Sequence, residues 1–117
     1  MKIFLKYWLP VILYAAAIFL FSSISKPPEA LSFFPYADKV LHFIEYAVFG
    51  FLMIRALYSS SPGKKTLFLR IGAVIIVALY GFTDELHQYF VPERNMELLD
   101  IITDGLGAFA GQLFFRR

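Results

Sequence analysis

The sequence predicts an all-α integral membrane bundle of four transmembrane helices, and three observations carry that expectation. Hydrophobic residues make up 59% and charged residues 17% of the 117 positions, against roughly 45–50% apolar and ~25% charged in an ordinary soluble domain. A domain this small hides only about 60–70% of the surface its unfolded chain exposes, so the apolar surplus needs a second apolar solvent. The apolar residues also fall into four segments, at about 4–23, 37–58, 66–90 and 98–115, with proline in each break between them. Finally, basic and acidic residues separate onto opposite ends of those segments. The apolar content excludes a disordered chain, and the absence of cysteine excludes a disulfide scaffold or a zinc ribbon.

The first segment has no charge from Tyr7 to Ser25, which suffices for a span at ~20 residues per ~30 Å. A cleaved signal peptide is the alternative, suggested by Lys2, Lys6 and the alanines at 15–17. Those alanines lie inside the apolar run rather than after it, and the run exceeds the usual ~7–15 residues, so an uncleaved anchor is expected. Ser25-Lys26-Pro27-Pro28 separates it from the second helix, and Ser59 to Gly63 separates the second from the third. Val91-Pro92-Glu93-Arg94-Asn95 precedes the fourth. The whole chain, 1–117, reads as one domain.

Four spans put both termini and the Ser59–Thr66 loop on one side. That side carries eight basic residues (Lys2, Lys6, Arg55, Lys64, Lys65, Arg70, Arg116, Arg117), and the other carries three (Lys26, Lys39, Arg94). The positive-inside rule makes the first side cytoplasmic. All nine acids then fall on the outer side, although they played no part in setting the orientation.

Several of those acids lie within helices. At ~1.5 Å per residue, counting from Arg55, Arg70 and Arg116 places three groups in the outer half of the bilayer. They are Asp38, His42 and Glu45 on the second helix, Asp84 and His87 on the third, and Asp100 and Asp104 on the fourth. At 100° per residue, Asp38, His42, Glu45 and Phe49 share one face, and Asp100, Asp104, Gly107 and Gly111 share another. Gly107 and Gly111 form a small-residue pair suited to close helix approach, so the acid stripe on the fourth helix should point into the bundle. On the third helix Tyr80, Asp84, His87 and Gln88 share a broad face, whereas Glu85 is expected to point away, to the outer interface. An ionisable group at this depth costs ~2.5–3.5 kcal/mol or more. The carboxylates outnumber the cations available on that side, which points to raised carboxyl pKa values or a bound divalent cation.

Each motif also has a plainer reading. Asp38-x-x-x-His42 and His42-x-x-Glu45 suit an imidazole oriented by carboxylates, for acid–base work or metal ligation, or a structural histidine near a helix start. Asp84 and His87 are candidates for the same chemistry, or belong to a solvated helix end. Asp100 suits the helix dipole, while Asp104, a turn further in, suits either a site or a helix–helix hydrogen bond. Arg94 and Lys39 can clamp a phosphate or carboxylate, or can pair neighbouring acids.

Three blocks stand in order: Asp38-Lys39-x-x-His42-Phe43-x-x-Tyr46, then Asp84-Glu85-x-His87-Gln88-x-Phe90-x-Pro92-x-Arg94, then Asp100-x-x-x-Asp104-x-x-Gly107 with Gly111. Together they resemble the VanZ-like family of small integral membrane proteins. The resemblance implies a multi-pass protein of the bacterial cytoplasmic membrane. It also implies an association with resistance to teicoplanin, a lipoglycopeptide aimed at lipid-linked cell-wall precursor, with no assigned reaction. The position of Asp104 is often Asn in that family, which implies a neutral hydrogen-bonding role.

The expected function is an intramembrane enzyme acting from the outer face on a lipid-linked or amphipathic envelope substrate, as a metal-assisted hydrolase or transferase. His42, His87, Asp84 and Glu45 are the candidate catalytic residues. Lys39, Arg94, Gln88 and Tyr46 are the candidates for substrate binding, and Asp38, Asp84, Asp100 and Asp104 for a divalent cation. The alternative is a binding protein that recognises a lipid headgroup, a lipoglycopeptide or a partner envelope protein without turnover. An ion-coupled transporter fits less well, because no acid reaches the inner half. Membrane lipid is the expected environment, no nucleic-acid partner is expected, and an oligomer stays open.

Overall fold

The computed structural model describes residues 2–23, 37–91 and 98–115, with the side chains of Ala37 and Asp38 outside that description. All regular structure among the described residues is helical. A π-helical turn, Phe4–Trp8, leads into α1 (Leu9–Ser22), followed by α2 (Ala37–Ser60), α3 (Thr66–Tyr89) and α4 (Leu98–Gln112). Sequence and structure agree on the number and placement of the helices. Phe4–Ser22, Lys39–Ser60 and Thr66–Tyr89 are long and apolar enough to cross a membrane. The fourth helix is shorter than expected. Its 15 residues extend ~22 Å at ~1.5 Å each, and i→i−3 bonds from Leu113, Phe114 and Phe115 then tighten the chain into turns.

The helices alternate in direction, and side-chain contacts fix their neighbours. Trp8 Nε1 donates to Ser60 Oγ and Tyr14 Oη to the Glu45 carbonyl, so α1 is antiparallel to α2. Tyr80 Oη donates to the Ala15 carbonyl, near one end of the T-shaped Phe49–Tyr80 contact. α2 and α4 run parallel and share the most extensive interhelical contact. A Cβ on Gly107 would lie 2.5 Å from the Phe43 carbonyl oxygen, and one on Gly111 would overlap the Ala47 carbonyl outright. Gly50 of α2 is closed in the same way by the backbone of Ala108. The expected small-residue seam is therefore real, and only hydrogen fits at its contact points.

One end of the bundle is built by cations acting on exposed carbonyls. Pro10 has no N–H to bond the Lys6 carbonyl one turn back, and the Arg55 guanidinium donates to that carbonyl instead at 2.7 Å. Arg70 donates to the carbonyls of Gln112 (2.6 Å) and Phe115 (3.0 Å), while Gln112 Nε2 returns a 2.8 Å bond to the Arg70 carbonyl. These bonds add to the turn at the C-terminal end of α4, where the Gln112 carbonyl also accepts the Phe115 N–H at 2.9 Å. The turn between α2 and α3 lies at the same end and reverses at Gly63, whose φ of 85° favours glycine.

Solvation preference is inverted relative to a soluble bundle. Large apolar side chains face outward, among them Leu13, Leu20, Phe68, Leu79, Leu106 and Phe109, while Ser22, Asp84, Glu85, Gln88, Asp100, Asp104 and Gln112 are buried. Buried acids and exposed leucines suit an apolar solvent outside and a polar seam within.

The seam predicts a contrast among glycines. Gly107→Leu and Gly111→Leu must push α4 off α2 and should destabilise the detergent-solubilised protein by about 3 kcal/mol or more, the upper end of overpacking. A Cβ at Gly72 or Gly105 meets nothing within 4 Å, so alanine there should be neutral or stabilising by up to ~1 kcal/mol. Thermal unfolding followed by the fluorescence of Trp8, the single tryptophan, measures both.

Candidate functional site

Above the glycine seam, the same faces of α2 and α4 carry their polar residues. Because the two helices are parallel and in matched register, Lys39 meets Asp100 and His42 meets Asp104. Lys39 Nζ lies 2.9 Å from Asp100 Oδ1. His42 Nδ1 lies 2.8 Å from Asp104 Oδ1, and His42 Nε2 lies 3.9 Å from Asp100 Oδ2. Asp104 is 0% exposed, so an ionised carboxylate there must accept the Nδ1 proton, which leaves Nε2 facing Asp100. Tyr46 stacks one turn below His42, with ring planes 11° apart and centroids 6.3 Å apart.

α3 closes the cluster from the side. Glu85 is 0% exposed, and its carboxylate joins His42 and Asp100 in a group whose ligand-type atoms lie within 4.8 Å of one another. This corrects the expectation that Glu85 faces the outer interface. Ala73, Val77, Gly81 and Glu85 follow at intervals of four along the buried face of α3, so Glu85 continues a packing stripe. Gly81 sits where a Cβ would come 2.8 Å from Asp104 Oδ2 and 3.2 Å from the Tyr46 ring.

Asp84 and His87 occupy a different interface. Ser22 Oγ bonds Asp84 Oδ1 at 2.5 Å, and Ser23 Oγ lies 2.9 Å from His87 Nε2. Phe19 stacks on the His87 ring, with centroids 4.4 Å apart. The Ser23 hydroxyl also reaches the Phe19 carbonyl at 2.9 Å. These contacts form a polar clasp between the end of α1 and α3.

The expected site residues therefore divide. Lys39, His42, Asp100, Asp104 and Tyr46 come together, joined by Glu85, which the sequence reading did not select. Asp84 and His87 face α1. Gln88 is buried and Glu45 half-buried, but neither belongs to the close three-ligand group. Of the four expected metal ligands, Asp100 is in that group, Asp104 stands behind the imidazole and Asp84 faces Ser22. The Asp38 side chain and Arg94 lie outside the described residues.

Three apolar helices of spanning length, with outward leucine and phenylalanine and inward acids, define a membrane-embedded helical bundle. The chain matches the family model described as VanZ/LLP1 over residues 3–117. It belongs to the VanZ/LLP1 family. No curated protein and no solved structure matches it.

The clasp yields a stability prediction. Ser22→Ala removes a donor from the buried Asp84 carboxylate and should cost about 1–3 kcal/mol. In a double-mutant cycle with Asp84→Ala the pair should couple by ~0.5 kcal/mol or more. The same unfolding transitions measure it.

Proposed function

We propose that this chain is a four-span protein of a bacterial cytoplasmic membrane, with cytoplasmic termini. In this proposal the His42 cluster lies in the outer half of the bilayer and acts on the polar headgroup of an amphipathic envelope molecule. Lipid-linked cell-wall intermediates and the lipoglycopeptide teicoplanin have the chemistry such a cluster would meet. The observation that carries the proposal is the cluster itself: three buried carboxylates, an imidazole and an ammonium drawn from three helices into one layer. Each such group at membrane depth costs ~2.5–3.5 kcal/mol on insertion scales, and the closest contact between α2 and α4 lies directly below them. The orientation is supported by Lys6, Arg55 and Arg70 at the opposite end, as the positive-inside rule requires.

The chemistry this supports best is hydrolysis or group transfer at the headgroup. His42 is the reactive centre, Asp104 holds its ring, and Lys39 faces the anionic part of the substrate. Recognition without turnover is the competing reading. It draws support from the clasp, in which the candidate catalytic pair Asp84 and His87 is engaged with Ser22 and Ser23.

Expression in a teicoplanin-susceptible bacterium tests the proposal. His42→Gln and Asp104→Leu, at wild-type membrane abundance, should lose at least ~90% of any gain in tolerance, the effect of removing the ring or the carboxylate that holds it. His87→Gln should keep most of it. Mass spectrometry of envelope lipids separates the two readings, since an enzyme shifts the ratio of a lipid-linked precursor to its product and a binder leaves it unchanged. Full tolerance in the His42 variant contradicts both.

A further inference from the structure

We propose that His42, Glu85 and Asp100 form a binding site for one divalent transition-metal ion of the zinc or manganese class, with Asp104 as the residue that positions the imidazole. This deepens the proposed function by naming the ion in the same cluster, and it rests on that cluster being the working centre.

The geometry of the ring comes first. Asp104 Oδ1 holds His42 Nδ1 at 2.8 Å, so the nitrogen left to act is Nε2. That atom and Asp100 Oδ2 stand 3.9 Å apart, too far for a hydrogen bond. Ligands around one tetrahedral ion, with bonds of ~2.0–2.2 Å, lie roughly 3.3–3.6 Å from each other. The ligand atoms of His42, Glu85 and Asp100 all fall within 4.8 Å of one another, so closure around an ion needs the widest pair to approach by up to about 1 Å. A carboxylate bonded to the far nitrogen of a ligating histidine is the usual outer shell of such sites, where it fixes the tautomer and raises ligand basicity.

Charge is compatible with a cation at this point, since two of the three ligands, Glu85 and Asp100, are carboxylates. An independent observation concerns polar atoms. Asp104 and Tyr46 are each 0% exposed, and Asp104 Oδ2 and the Tyr46 hydroxyl have no hydrogen-bond partner among the described residues. Both side chains border Gly81, where a Cβ would crowd them. Buried polar atoms are costly to leave without partners, and water carried by an ion at the adjacent ligands would satisfy them.

The donor set selects the ion class. One imidazole with two carboxylates suits zinc, manganese or ferrous iron better than calcium, which takes six to eight oxygens. Three protein ligands leave positions open, as in catalytic rather than structural sites. When bound, such an ion supplies Lewis-acid polarisation of a phosphoryl or carbonyl oxygen. Lys39, paired with Asp100, keeps a positive charge beside the ion, which suits an anionic, phosphate-bearing headgroup.

The test uses the full chain in detergent, stripped with chelator and then loaded separately with zinc, manganese or cobalt alone. Elemental analysis after desalting should give about one ion per chain, and cobalt should show visible bands of a nitrogen–oxygen site. His42→Gln, Glu85→Gln and Asp100→Asn should each weaken binding at least ~10-fold. Asp104→Leu should weaken it ~10–100-fold while retaining one site, with altered cobalt bands. His87→Gln should bind as wild type. Zinc should also raise the unfolding temperature of the wild-type chain, a readout that holds even where a variant fails to fold. A wild-type chain that retains no ion and gains no stability overturns the inference, as does binding unchanged by His42→Gln and Glu85→Gln. If the ion binds as described while His42→Gln keeps full tolerance in cells, the metal site stands and the headgroup function falls. If the ion is absent while that variant loses tolerance, the reverse holds.

Discussion

The contact of α4 on α2 at backbone distance is the constraint on which the rest of the bundle depends. Gly107 against the Phe43 carbonyl and Gly111 against the Ala47 carbonyl leave no room for a side chain. Because the helices are parallel, each further turn along the same stripe brings another facing pair together: His42 with Asp104, then Lys39 with Asp100. The polar pairs are thus later rungs of the packing ladder. In an apolar surround an unpaired carboxylate is far more costly than a paired one, so pairing and packing must be achieved together. Separating the glycines would also separate every charge pair above them.

The two ends of the molecule use their charges differently. At the basic end, Arg55 donates to the carbonyl that Pro10 leaves without its α-helical partner, and Arg70 donates to carbonyls where α4 terminates. Each arginine stabilises backbone that could not be left bare in lipid. At the acidic end Asp84, Asp100 and Asp104 meet side chains, and they do so in two separate groups. The α1 clasp through Ser22 and Ser23 holds the first helix to α3, while the α2–α3–α4 cluster is composed of charged and titratable groups with ligand geometry. α1 makes fewer contacts than the other helices, and its polar bonds therefore count for more.

Most of the architecture was legible in the sequence because it follows from one-dimensional signals. The four apolar segments, their proline breaks and the segregation of Lys and Arg locate the helices to within a few residues. The face shared by Asp100, Asp104, Gly107 and Gly111 identified the seam, and 100° periodicity sufficed for it. The division of α3 was less accessible. Asp84 and Glu85 are adjacent, so their side chains diverge by ~100°, and each serves a different neighbour. Choosing between them required knowing that α1 lies on one flank of α3 and α2 with α4 on the other. A signal was present nonetheless in the Ala73, Val77, Gly81, Glu85 stripe, whose small residues mark the buried side. Helix length was the other difference. The apolar run to Phe115 reads as one helix, but Arg70 and the terminal i→i−3 bonds end it at Gln112.

The orientation of the His42 ring is the most direct test of this account. The chain contains two histidines, so nitrogen-15 spectra of imidazole-labelled protein in micelles resolve both, and the His87 variant assigns them. The account predicts that His42 keeps its proton on Nδ1, that replacing Asp104 with leucine abolishes this preference, and that zinc shifts Nε2 alone. A His42 ring protonated only on Nε2, indifferent both to zinc and to the loss of Asp104, would contradict the central claim that one carboxylate turns this imidazole toward two others.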